Sequence, residues 1–308
     1  MCLTVNLAGA NISIEFFGQA QKAVPLCRHY LEGFFYPDKD GDVKVQVRIL
    51  NAPNEELPFL ERSGEPVFEQ LLCTPDVAIW LNRFPEHTED FPITEATISS
   101  YCQGGLLLFN PDSSEGRIFL LNKGAKRFRP VYRLLWIYFS QVLGERGSCF
   151  VHAAGLAHDG KGYLFMGESG TGKTTIAKLI PECTVLSDDG PILLKENGQF
   201  RVCPSPYHQM LHSEELDKAF IRMRAKLIGL YFLIKDDQLW VEELSGDRAL
   251  LMITARHIHF FHYLSNEAKR ALFNSLCGVC SKIPSYYLHF RRDDQVWKII
   301  RDQQHRRM

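Results

Sequence analysis

The chain has 308 residues with 35 basic and 36 acidic side chains, which is long enough for two domains and too evenly charged to bind nucleic acid or anionic lipid through an overall field. Nine cysteines are scattered singly; an odd number without a framework spacing excludes a disulfide scaffold and suits reduced thiols in a cytoplasm. The opening Met1-Cys2-Leu3-Thr4-Val5-Asn6 has no basic or continuous apolar stretch, and the longest apolar run, 227–234, is strand-sized. No secretory signal, membrane span or membrane partner is therefore expected, and the expected location is cytoplasmic.

Residues 1–122 read as a β-rich α+β domain that meets a substrate or partner. Ile12 to Phe17 alternates and then runs apolar, Ala23 to Phe35 has helical spacing, and Val43 to Leu50 alternates at period two after a turn at Asp38–Gly41. Further strands are expected at Val77–Asn82, Thr97–Cys102, Leu106–Phe109 and Arg117–Leu121, with a turn over 111–116. Gly104-Gly105 reads as a bend in a hairpin. The basic run 123–129 and an amphipathic helix from Pro130 to Leu143 form a hinge over 123–146, with Leu134, Leu135, Tyr138, Phe139 and Val142 on one helix face.

Residues 147–308 carry the chemistry. A strand over 147–152 leads into His152, a second spans 155–158, and Tyr163–Met166 is a buried strand that opens into a Gly-rich loop and a helix from Thr174 to Ile180. Gly167, Gly172, Lys173 and Thr174 fit the G-x-x-x-x-G-K-[ST] pattern. Glycines at 167, 170 and 172 admit positive φ, so that backbone N–H groups can curl around an anion. Lys173 would reach the outer phosphates, and the Thr174 hydroxyl would hold Mg²⁺.

After the loop helix, an apolar strand from Cys183 ends in Asp188 and Asp189. Consecutive strand residues point to opposite sides, so one carboxylate can face the reacting phosphoryl group while the other braces the site. His152 could orient the phosphoryl group or share a proton with the pair. His208, in the proline-rich loop 204–208, is a further candidate. No carboxylate completes a metal set around His257, His259 and His262, so that segment is expected at the surface. Strands at 192–195, 199–202, 226–235, 239–244 and 285–290 and helices at 247–255 and 266–282 complete the domain, with Cys277 and Cys280 as helix-face thiols.

The succession Val151-His152-Ala153-Ala154-Gly155, then Gly167 to Thr175, then Leu186-Ser187-Asp188-Asp189 resembles the catalytic domain of the HPr serine kinase/phosphorylase family, whose P-loop fold is shared with phosphoenolpyruvate carboxykinases. The resemblance spans about residues 130–295. It implies an α/β P-loop kinase domain in which Gly167, Glu168, Ser169, Gly170, Thr171, Gly172, Lys173, Thr174 and Thr175 bind ATP. It further implies that Thr174 and Asp188 hold Mg²⁺, that Asp189 accepts the proton, and that His152 and Lys173 complete the catalytic set. The family's glutamate-bearing signature and late arginine have no match; Arg248 and Arg256 stand nearest. The architecture is more similar to divergent HPr-kinase-like proteins that accompany peptide-modification clusters, which implies a peptide, protein or small hydroxyl compound as acceptor and is compatible with a homo-oligomer. The alternative from another class is an accessory protein that binds peptide in a nucleotide-dependent way without phosphoryl transfer.

Overall fold

The computed structural model describes residues 1–31, 33–34, 43–51, 70–72, 98–102, 105–120, 129–207, 218–293 and 295–305. The expected strand at 77–82, the turn at 38–41, the basic run 123–128, Gly104 and His208 lie outside them. The fold is mixed α/β, and the chain divides into two compact units: Met1–Val142 with His262–Ser265, and Leu143–Phe261 with Asn266–Met308.

In the first unit the strands are β1 (Cys2–Leu7), β2 (Ala10–Phe16), β3 (Val43–Asn51), β4 (Gln70–Leu72), β5 (Ile98–Cys102), β6 (Gly105–Asn110) and β7 (Glu115–Leu120). They form one sheet in the order β1-β2-β3-β7-β6-β5-β4. The β1–β2 hairpin turns on Ala8 and Gly9, with φ of 49° and 91°. Two positive φ values in succession match the right-handed twist of the flanking strands. The helical spacing at 23–35 resolves into a 3₁₀ turn, Gly18–Ala23, and a short helix α1, Val24–Tyr30. Pro25, lacking an N–H, sits in the first turn, and Gly33 at φ 81° follows the end of the helix.

Helix α2 (Arg129–Gly144) is buried on more than the single face expected: Trp136 and Ile137 are as inaccessible as Leu134, Tyr138 and Phe139. Of its described side chains only Tyr132 and Arg133 reach solvent, so most of its circumference belongs to the core. Gly105 acts here by its size. A Cβ on it would stand 2.7 Å from Leu134 Cδ1 and 2.9 Å from Pro130 Cβ. Gln141 donates to Tyr263 O and accepts from Ser265 N, tying His262–Ser265 to this unit.

The second unit has β8 (Cys149–Phe150), β9 (Ala153–His158), β10 (Lys161–Met166), β11 (Thr184–Ser187), β12 (Ile192–Glu196), β13 (Gln199–Cys203), β14 (Ala225–Lys235), β15 (Trp240–Leu244) and β16 (Ser285–Phe290). Their order is β11-β9-β10-β14-β13-β12-β8, with β16 beside β14 and β15 beside β16. β10, β14 and β16 run parallel, whereas β9 is antiparallel to both β10 and β11. The helices are α3 (Lys173–Leu179), α4 (Lys218–Ile221), α5 (Gly246–Arg256), α6 (Asn266–Lys282) and α7 (Val296–His305).

Alternation along β10 decides the packing. Tyr163 and Phe165 join a buried cluster with Ile176 and Ile180 at the α3 side and Trp297 and Ile300 of α7. Across three adjacent strands the Phe165, Tyr231 and Tyr286 rings stack, with centroids 5.2 Å apart at each step. Such pairs contribute about 1 kcal/mol each beyond area burial. Met166 takes the opposite face, toward Phe232 and Met252 of α5. Among the described residues, no helix is long and apolar enough to cross a membrane.

Candidate active site

The β11-β9-β10 order brings three strand ends to one place. Met166 pairs with Ala153, so His152 stands beside the start of the loop that leaves β10 at Gly167. Ser187 pairs with Gly155, so Asp188 and Asp189 emerge on the far side of β9. The strand expected to carry His152 next to β10 is not that neighbour: β8 has two residues and pairs with β12. His152 instead lies one residue before β9, which is the true neighbour of β10.

The loop has little room for side chains. Gly170 and Gly172 have φ of 80° and 111°. A Cβ on Gly172 would lie 2.6 Å from Phe290 Cζ, and one on Gly167 would lie 2.2 Å from Thr171 Oγ1. Glu168 O accepts from Thr171 N at 3.2 Å and from Thr171 Oγ1 at 2.7 Å. Lys173 Nζ folds back to donate to Gly167 O at 2.9 Å and Glu168 O at 3.3 Å. The Glu168 carboxylate pairs with Arg256 at the end of α5. No arginine of this chain matched the family's late arginine in sequence; here Arg256 pairs with the loop's Glu168 in an exposed contact.

A cavity of about 310 Å³ opens over the loop. Ser169, Gly170, Gly172, Lys173, Thr174 and Thr175 line one side, His152 and Asp189 the other. Gly167, Glu168 and Thr171 face a separate cavity of about 580 Å³. Asp189 Oδ1 lies 3.2 Å from His152 Nε2 and 4.0 Å from Lys173 Nζ. Asp188 is 1 % exposed and does not line the 310 Å³ cavity. Of the two residues expected to hold metal, Thr174 is therefore on the cavity wall and Asp188 behind it.

Environment sets the charges. Burial pulls the Lys173 ammonium down, and the nearby Asp189 and Asp188 carboxylates offset only part of that. Burial pushes Asp189 up, but the His152 hydrogen bond and the charges of His152, His259 and Lys173 outweigh it and leave the carboxyl below its ordinary value. Burial also lowers His259. Asp189 is thus an anion at neutral pH.

The surface expectation fails at His257 and His259 and holds at His262, which is exposed. His257 is 3 % exposed, His152 N donates to its carbonyl at 2.9 Å, and His259 N donates to Phe150 O at 3.1 Å. Val151 bridges Ile258. These bonds bring His257 and His259 to ring-centroid distances of 6.4 Å and 5.0 Å from His152. His259 Nε2 donates to Asp189 O at 2.9 Å; a carbonyl can only accept, so that nitrogen carries the proton. Three histidines at spacing two and five gave no hint of this, because a single isolated bridge has no periodicity to read.

The Asp turn has its own brace, also missed. Ser187 Oγ, fully buried, accepts from Gly190 N at 2.9 Å and donates to Tyr207 O at 2.5 Å. Ser205 Oγ donates to Gly190 O at 2.5 Å and accepts from Tyr207 N at 3.1 Å. A Cβ on Gly190 would stand 2.4 Å from Tyr207 Cδ1. Gly190→Ala is therefore expected to push the Tyr207 ring out and destabilise the unit by about 1–3 kcal/mol, which a urea titration would read; an unchanged midpoint would show that the turn is not tightly packed.

With this geometry in view, comparison with known proteins adds the family. The model of the family described as "SynChlorMet cassette protein ScmC" matches residues 130–303. The chain belongs to the ScmC family. All of the residues around the 310 Å³ cavity fall within that span. A solved structure of the Hpr(Ser) kinase/phosphatase from Coxiella burnetii is similar at 14 % identity and a TM-score of 0.31, covering 51 % of this chain and 96 % of that one. No curated protein matches the chain.

Proposed function

We propose that the second unit is a P-loop kinase domain of the HPr-kinase-like type, an ATP- and Mg²⁺-dependent phosphotransferase that acts on a serine-type hydroxyl of a peptide, protein or small molecule. The observation that carries the reading is the position of Asp189: an ionised carboxylate held by His152 at 3.2 Å, facing Lys173 at 4.0 Å across a cavity walled by the glycine-rich loop. A carboxylate placed this way, opposite a loop of amides and an ammonium, suits a reaction in which a hydroxyl must lose a proton while phosphate charge is stabilised.

In the proposed cycle the phosphates displace Lys173 Nζ from the Gly167 and Glu168 carbonyls, so the ammonium turns to the outer phosphates. The acceptor hydroxyl enters between Asp189 and the terminal phosphoryl group. As its oxygen bonds to the γ-phosphorus, the bond to the β–γ bridging oxygen breaks, ADP leaves, and the proton passes to Asp189 and then to water. His152 keeps the carboxylate oriented, and His259 fixes its backbone. Thr174, on the loop side of the cavity, offers an oxygen donor that fits a Mg²⁺ taking its other ligands from phosphates and water, which leaves Asp189 to act as the base. That ion would neutralise phosphate charge when bound. The proposed location is the cytoplasm; the family's description says that ScmC is a cassette protein.

The test is incubation with γ-labelled ATP and a degenerate serine-peptide library, beside Lys173→Ala. Label transfer by the wild type and its loss with Lys173→Ala, together with loss of nucleotide binding in a filter assay, is the expected result. Nucleotide binding without transfer to any acceptor would instead favour a nucleotide-dependent peptide-binding accessory protein.

A further inference from the structure

We infer that the nucleotide turns its ribose and base into a separate cavity at the carboxyl ends of β14 and β16, where Asp236 reads the ribose hydroxyls. The inference rests on the reading of 167–175 as a phosphate-binding loop. This cavity, of about 380 Å³, is walled on one side by Gly170, Thr171, Gly172 and Thr175. Its other side is Lys235, Asp236, Phe290, Arg291 and Arg292.

Connectivity points to it. Gly170, Gly172 and Thr175 line both this cavity and the one that holds Asp189. The 580 Å³ cavity shares no lining residue with the Asp189 cavity, and its walls are largely apolar, including Phe232, Leu251 and Met252. A triphosphate whose terminal group faces Asp189 must continue along shared walls, and those lead to the 380 Å³ cavity. Lys235 ends β14, which runs parallel beside β10, and Phe290 ends β16, which runs parallel beside β14. Ligands of open parallel sheets sit outside such carboxyl ends.

The chemistry of the lining matches a nucleoside phosphate. Lys235, Arg291 and Arg292 are exposed, and among the described residues the ion pair they make is that of Arg291 with Asp293 at 3.5 Å. Three cations beside the loop favour the charge of an inner phosphate. Phe290 is buried and presents its ring edge against Gly172, an apolar wall for a base. Asp236 is fixed twice, by Gln238 N donating to Oδ1 at 3.1 Å and by His289 Nδ1 at 2.9 Å from Oδ2. His289 in turn stacks on Trp240, with centroids 3.9 Å apart and planes at 13°. A carboxylate only accepts, and ribose hydroxyls donate, so a carboxylate held in one orientation distinguishes ribose from deoxyribose.

Isothermal titration of the full chain with inorganic tripolyphosphate, ATP and dATP tests this. The expected order is ATP tightest, dATP several-fold weaker and tripolyphosphate weakest. Lys235→Ala/Arg292→Ala should weaken ATP by about tenfold or more, and tripolyphosphate as well because it carries the same inner charge. Asp236→Ala should bring ATP down to dATP. If tripolyphosphate and ATP bind but neither variant changes ATP or the ATP/dATP ratio, the nucleoside lies elsewhere and the inference is overturned. If tripolyphosphate and ATP both fail to bind, the phosphate-loop reading itself fails, and this inference with it.

Discussion

Asp189→Asn is expected to lower phosphoryl transfer by about 10²–10⁴-fold, the range a positioned general base supplies, while nucleotide affinity stays within a few-fold of the wild type. The amide keeps the volume and one acceptor oxygen beside His152 but cannot take the acceptor's proton. Its contact with Lys173 is at 4.0 Å, longer than a hydrogen bond, so losing the charge leaves the loop's own bonds to Lys173 in place. Single-turnover transfer and equilibrium nucleotide binding, measured on the same preparation, separate the two effects. Full transfer by Asp189→Asn would remove the proposed base and leave the acceptor's proton to another group. His152→Ala is a different perturbation: it removes the group that orients the carboxylate, and its loss should be smaller and partly recovered by added imidazole.

The elements that repeat a simple rule were legible in the sequence. α6 and β16 fall on the expected residues 266–282 and 285–290, and β10 with its loop and helix lies where the glycine pattern put it. The loop was readable because its requirement is local: positive φ at Gly170 and Gly172 and no Cβ at Gly167. Long-range features were not. α7 was missed because its apolar residues, Val296, Trp297 and Ile300, cover barely one turn and are buried only because β9 and β10 present His158 and Tyr163 to Trp297. β1 was also unassigned, its six residues being defined by pairing with β2.

The same division runs through the candidate site. Lys173, Asp189 and His152 belong to three short motifs, and the sheet order brings them to one cavity. Apart from Ser187, which stands in the Asp motif, their supports do not belong to motifs. Ser187, Ser205 and Tyr207 brace the Asp turn through hydroxyl and carbonyl bonds, and His259 reaches it from 70 residues away. Polar residues in a proline-rich loop and histidines in an irregular segment give no periodic signal, so their role emerges only when the chain is folded.

Acid should unfold the second unit through His257. Burial, with the charges of His152 and Lys173 and against that of Glu168, pulls its pKa from 6.5 to about 4, and its Nδ1 has no hydrogen-bond partner among the described residues. Below about pH 6.5 the unfolded chain takes up a proton that the folded one refuses, so stability rises with pH across this window. The contribution is therefore complete above pH 6.5 and is lost as pH falls toward 4, amounting to about 3 kcal/mol for this one side chain. His259, also lowered by burial, adds in the same direction. Asp189 is depressed as an acid, so its contribution is lost only as pH falls below the ordinary carboxylate range and does not confound the upper window. The ring of His257 lies 5.8 Å from that of Phe232, so His257→Phe is a near-isosteric replacement without a titrating group. Urea midpoints taken from pH 7.5 down to 4.5 should fall steeply for the wild type and much less for His257→Phe. Equal slopes for the two proteins would mean that His257 takes up its proton without unfolding the unit, and that the buried contact between the 257–259 segment and His152 opens readily in solution.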